Sequence, residues 1–178
     1  MKVWLGLDPG LSGGVAIVGE NCYAEAHKMK ETEKDTWELL FDLNQRFSIQ
    51  YALIEELHAL PAAVEEKLGI KRGSIATAKL MQHYGGLRMA LIGLGIRFEE
   101  RVPRVWQKIQ GLQPHGGKNA SKARAQQMFP QIKITHHIAD ALLIASTARI
   151  LWLNAHPAER VTIAPMIPAP VVEEGRLF

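Results

Sequence analysis

The stretch Val3-Trp4-Leu5-Gly6-Leu7-Asp8-Pro9-Gly10-Leu11-Ser12-Gly13-Gly14-Val15-Ala16-Ile17-Val18 decides the fold. Two short apolar runs, Val3 to Asp8 and Val15 to Val18, flank a loop rich in glycine with one proline. That pattern predicts two strands joined by a tight turn. Cys22 to Met29 adds a third strand-like run, so the chain opens as an antiparallel meander. Further on, Trp37, Leu40, Phe41 and Leu43 fall at helical spacing between Thr32 and Phe47, with Thr32 or Asp35 as the N-cap. Tyr51 to Ile54 is again strand-like and ends in Glu55-Glu56. The spacing predicts a loop from Leu57 to Arg72, a long helix over Ser74–Leu94 and a short strand over Ile96–Phe98. It then predicts a helix over Pro103–Ile109, a helix capped by Asn119 or Ser121 that ends before Pro130, and a last helix over His136–Asn154. Gly85-Gly86 lowers helix propensity inside the long helix, which implies that another backbone approaches there. Strands alternating with helices around one mixed sheet describe a single α/β or α+β domain, and α/β is the class expected. We place that domain at residues 1–156 and a proline-rich tail at 157–178.

Length and composition narrow the function classes. A chain of 178 residues, 47% hydrophobic, buries a sizeable core without disulfides. One cysteine, Cys22, forms no internal disulfide and fits a reducing compartment. No secretory or transit signal is evident and no long apolar run suggests a membrane span, so the expected location is the cytoplasm. The net charge of +3 conceals an uneven distribution. Residues 1–100 carry 11 Lys/Arg against 14 Asp/Glu, whereas residues 101–149 carry 8 against one acid, Asp140. A segment at +7 inside an otherwise slightly acidic chain predicts a polyanion-binding band.

The acids that could do chemistry sit at element ends. Asp8 closes the first strand and Glu55 the strand over Tyr51–Ile54, where ligands of α/β sheets bind. His137 and Asp140 lie three apart on an apolar helix and share a face. Brought together, Asp8, Glu55, His137 and Asp140 would hold divalent cations. Carboxylates suit Mg²⁺ or Mn²⁺, and the imidazole leans toward Mn²⁺. Two such ions roughly 3.5–4 Å apart would clamp a phosphodiester for hydrolysis without a side-chain nucleophile. The basic residues expected to track phosphates are Lys71, Arg72, Arg101, Arg104, Lys108, Lys118, Lys122 and Arg124. Trp106, between Arg104 and Lys108, is expected to be a core residue rather than a base-stacking one.

Gly6-Leu7-Asp8-Pro9-Gly10, Ile54-Glu55-Glu56 and His137-Ile138-Ala139-Asp140-Ala141-Leu142-Leu143-Ile144-Ala145 resemble, in order and spacing, the three active-site motifs of RuvC-type Holliday junction resolvases. The stretch Val102-Pro103-Arg104-Val105-Trp106-Gln107-Lys108, with Lys118, Ser121-Lys122-Ala123-Arg124-Ala125 and Phe129-Pro130, resembles the phage and organellar branches of that family. The resemblance covers about residues 3–150. It implies an RNase H-like five-stranded sheet, a homodimer, and metal-dependent paired nicking of a four-way DNA junction. It further implies Asp8, Glu55, His137 and Asp140 as ligands of two Mg²⁺ ions, with Mn²⁺ able to substitute. Lys118 and Lys122 would stand near the scissile phosphate. His58 occupies the position where bacterial members carry an aromatic wedge, which is a departure from the pattern. Small residues Ala76, Gly85, Gly86 and Ala90 would let a second helix pack on the long helix, and the last residues, Glu173 to Phe178, could dock a recombination or replication protein.

Three other functions compete. A broader branched-DNA debranching nuclease would use the same residues. A non-catalytic junction binder would have no need of the four metal-ligand candidates. An actin-like ATPase or sugar kinase also begins with a strand and a loop like Asp8 to Gly14, but needs a second phosphate loop and a second lobe for which 178 residues leave no room.

Overall fold

The computed structural model describes residues 1–57, 74–113 and 117–160; of residues 74, 117 and 118 only the backbone is described. His58, Lys71, Arg72, almost all of the expected 57–72 loop and the tail beyond residue 160 lie outside the described residues. Five strands form one mixed sheet: β1 (Lys2–Asp8), β2 (Gly14–Gly19), β3 (Ala24–Lys28), β4 (Ser48–Glu55) and β5 (Phe98–Arg101), in the order β3-β2-β1-β4-β5. β1, β2 and β3 pair antiparallel as the expected meander, while β1–β4 and β4–β5 pair parallel. The helices are α1 (Glu33–Arg46), α2 (Ser74–Gly93), α3 (Pro103–Ile109), α4 (Gly117–Met128), α5 (His136–Ala155) and α6 (Pro157–Arg160).

The central strands are buried on both sides, which is why they read as unbroken apolar runs. Alternation along β1 sends Val3, Leu5 and Leu7 into one core with Leu40 and Leu43 of α1 and Leu87 and Leu91 of α2. Trp4 points the other way, into a core with Trp106 of α3, Ala125 of α4 and the apolar side of α5. Helix α5 crosses β1 at residue 6. A Cβ there would stand 2.2 Å from the Ala145 nitrogen and 2.3 Å from the Ala141 oxygen, so only glycine permits the approach. By length and composition α5 is apolar enough to cross a membrane, contrary to the expectation that no such segment exists, and 61% of its most apolar stretch is buried inside this fold.

Three local expectations need correction. Among the described residues nothing lies within 4 Å of a Cβ added at Gly85 or Gly86, so no described backbone approaches them; they line an outer groove with Trp37 and Met89. β5 begins at Phe98 rather than ending there. The apolar Ile96 instead tucks into the core behind α2, and the edge strand itself is polar on its open side. Helix α4 starts at Gly117, which puts both Asn119 and Ser121 inside the helix rather than at its cap. α6, at the start of the expected tail, is tied back to the sheet by Glu159, which accepts from Lys2 at 3.2 Å and from the Trp152 indole at 3.3 Å.

Substituting Gly6→Ala should destabilise the protein by more than about 3 kcal/mol, because the added methyl meets backbone rather than a side chain that can turn aside. Chemical denaturation would measure this, and a loss under about 1 kcal/mol would show that α5 is free to lift off β1.

Candidate active site

β1 and β4 run parallel as neighbours, with Leu7 opposite Ile54, so Asp8 and Glu55 leave the sheet side by side at its carboxyl edge. Both follow the alternation of Trp4, Gly6 and Leu53 toward the α5 side. The start of α5 is held against the same edge. A Cβ at Gly14 would lie 2.6 Å from the His137 carbonyl oxygen, which fixes the first turn of the helix over the β1–β2 loop. His137 Nδ1 is 2.8 Å from the carbonyl oxygen of Ser12. A carbonyl can only accept, so Nδ1 is the donor, which in a neutral ring leaves the Nε2 lone pair for a metal.

Glu55 is the electrostatic centre of this group. Burial, partly opposed by a hydrogen bond from Trp106 and reinforced by the nearby negative charge of Asp140, pushes its carboxyl up to about 7. Trp106 donates its indole N–H to Glu55 Oε2 at 2.9 Å while its ring is only 1% exposed. The ring is therefore core, as expected, and its polar edge holds a candidate ligand. The need of a buried indole N–H for a partner was the available signal.

The donor set fits a hard divalent cation: three carboxylates from three elements and one imidazole with a lone pair available. A cation near Glu55 and Asp140 would also relieve their mutual repulsion. Among the described residues, however, no three His, Cys, Asp or Glu side chains stand close enough together to hold a metal. Asp8 is linked to His137 through the β1–β2 loop and Glu55 to Asp140 through their charges, but the full set is not drawn in.

The basic residues divide by environment. Arg104 and Lys108 are exposed on α3. Arg101 sits in register with Glu55 on the edge strand, is exposed, and pairs with Glu99. Lys122 is half-buried on α4. Arg124 on the same helix is also half-buried, its Nε without a hydrogen-bond partner among the described residues. The Lys118 side chain lies outside the described residues.

Among solved structures, this chain is similar to Thermus thermophilus RuvC in complex with a Holliday junction substrate, at 19% identity and a TM-score of 0.57, over 92% of this chain and 99% of that one. It is similar to a second Thermus thermophilus RuvC structure at 20% identity and a TM-score of 0.56, with the same coverage. The chain has the RuvC fold. No protein-family model matches the chain, and no curated protein matches it by sequence. The RuvC-like architecture agrees with the RNase H-like mixed sheet of five strands that the motifs implied.

In metal-free buffer the RuvC-like domain should lose stability as pH rises. Glu55 binds its proton more tightly folded than unfolded, so its contribution is complete near pH 4 and disappears as pH climbs through about 7. Denaturation midpoints of wild type and Glu55→Gln, compared from pH 4.5 to 8 with chelator, should diverge in favour of the variant toward the alkaline end. Parallel curves would contradict the raised carboxyl.

Proposed function

We propose that this chain is a metal-dependent endonuclease that resolves four-way DNA junctions by paired symmetric nicks. The observation that carries the proposal is the meeting of the Glu55 and Asp140 charges, from β4 and α5, at the strand edge where Asp8 also ends. Supporting it, the fold is that of a protein whose structure was solved with a Holliday junction substrate.

On this reading Asp8, Glu55, His137 and Asp140 hold two Mg²⁺ ions, with Mn²⁺ accepted in their place. When bound, the ions supply an activated water and charge stabilisation for the leaving oxygen. The protein's own part is placement. Trp106 fixes Glu55 Oε2, Ser12 fixes the tautomer of His137, and the buried strands hold Asp8 and Glu55 at the rim. Lys118 and Lys122, one helical turn apart on α4, neutralise the scissile phosphate. Arg101, Arg104 and Lys108 track the DNA backbone from the neighbouring edge. Lys71 and Arg72 would add to this band from the segment before α2.

Paired nicks need two active sites, which a twofold dimer provides. The outer face of α1 and α2 suits a second copy. Trp37 and Phe41 stack at 6.4 Å and are 41% and 46% exposed, Met89 is 65% exposed, and the open Gly85-Gly86 surface lets a helix come close.

With Mg²⁺, wild type should nick a labelled four-way junction symmetrically, and Asp8→Asn or chelation should abolish the nicks. Flaps and replication forks cut as fast as the junction would favour the debranching nuclease. Equal cutting of linear duplex would overturn junction specificity. For the dimer, Met89→Glu should shift the sedimentation coefficient to that of a monomer and convert paired nicks to single ones. An unchanged coefficient would move the interface elsewhere.

A further inference from the structure

His83 belongs to neither the candidate ligand set nor the basic band, yet it reaches the loop that follows Asp8. It lies on α2, on the opposite side of the sheet from Glu55 and α5. Pro9 has no N–H, so Gly10 offers the first backbone donor after Asp8. Gly10 gives that N–H to His83 Nδ1 at 3.2 Å, in a conformation at φ +100° that favours glycine. Gly10 in turn accepts from the Gly13 N–H at 3.0 Å, and Gly13 is wedged against the catalytic candidate itself. A Cβ at Gly13 would lie 2.9 Å from Asp8 Cγ and 2.1 Å from the Asp8 carbonyl oxygen. The path from imidazole to carboxyl is thus one hydrogen bond, one tight turn and one close contact.

We propose that His83 is a positioning residue that sets the place of the Asp8 carboxylate by holding the Gly10–Gly13 turn from the α2 side. This rests on the reading of Asp8 as part of the nuclease site. Two features support it. A cavity of about 700 Å³, lined among others by Leu11, Ser12, Glu31, Glu33, Lys79 and His83, leaves space into which the loop can move once the bond is lost. Only the neutral imidazole can accept at Nδ1, and burial favours that neutral form against the opposing pull of Glu33. With Nδ1 accepting, the proton is on Nε2, which is buried with no hydrogen-bond partner among the described residues. The imidazole is therefore oriented by its bond to Gly10.

Two variants separate positioning from bulk. His83→Leu keeps volume and removes the acceptor; His83→Asn puts an amide oxygen where Nδ1 stood. Both are first checked for folding by circular dichroism. In His83→Leu the Asp8 side-chain carboxyl ¹³C resonance should move and the Gly10 amide should lose exchange protection, while His83→Asn retains both. On junction DNA, His83→Leu should lower kcat or raise the Mg²⁺ midpoint roughly 10-fold, with KM for the junction unchanged, and His83→Asn should recover most of the loss. An unmoved Asp8 resonance in folded His83→Leu, or equal impairment of both variants, overturns the proposal. Wild type that cuts no DNA while the Asp8 resonance follows the expected pattern overturns the nuclease reading and still supports the hold of His83 on Asp8.

Discussion

The approach of helix α5 to strand β1 at Gly6 is the constraint on which the rest of the structure depends. The backbone of Ala141 and Ala145 occupies the volume a side chain at residue 6 would need. That contact sets the height of α5 above the sheet and, one turn earlier along the helix, the position of His137 and Asp140 over the strand ends. A second contact of the same kind at Gly14 presses β2 against the His137 carbonyl. Two missing side chains therefore do for α5 what a longer interface would otherwise have to do. They convert a core helix into a carrier of two polar groups at a defined place.

Burial then gives those polar groups their chemistry. Strands buried on both faces can offer a carboxylate only where they end, and parallel neighbours end together. Asp8 and Glu55 leave the sheet side by side for that reason. The same burial makes Glu55 a poor anion in isolation, with its carboxyl pushed up to about 7. A carboxyl held protonated by its surroundings and by a neighbouring acid is a group waiting for a positive partner. The Trp106 indole counters this only in part.

Period-two and period-3.6 patterns made the strands, most helices and the placement of Asp8 and Glu55 legible in the sequence, because each follows from local alternation. Glycine was harder to read. Gly6 and Gly85-Gly86 look alike in a sequence, but the first admits a helix and the others have none of the described residues against them. Charge counting is blind to burial. The +7 of residues 101–149 includes Arg149, which is 4% exposed with its guanidinium 5.6 Å from the Trp4 ring, and Arg124, whose Nε is buried. Arg149 therefore belongs to the interior, whereas Arg124 is only partly buried. Arg104 and Lys108 remain outward, and Arg101 shares its charge with Glu99. A sum over sequence cannot distinguish these cases, since burial depends on which helix face meets the sheet. His83 and Trp106 escaped for a related reason: each acts through a hydrogen bond to a residue far along the chain.

The sheet separates two tasks. Its α5 side carries the carboxylates, and its α1–α2 side carries an exposed apolar surface. The β1–β2 loop is where the two sides meet, because Gly10 donates to His83 of α2 while Ser12 accepts from His137 of α5. Its centre is further tied to the sheet, since Gly13 accepts from the Met29 N–H at 3.0 Å. A loop held from both layers cannot follow one without straining its bond to the other. Displacement of α2 relative to the sheet would therefore be felt at Asp8, even though no residue of α2 belongs to the candidate metal set. If a second copy packs on α2, the partner's grip on that helix and the geometry of the carboxylates are mechanically joined through two histidines and four residues of loop.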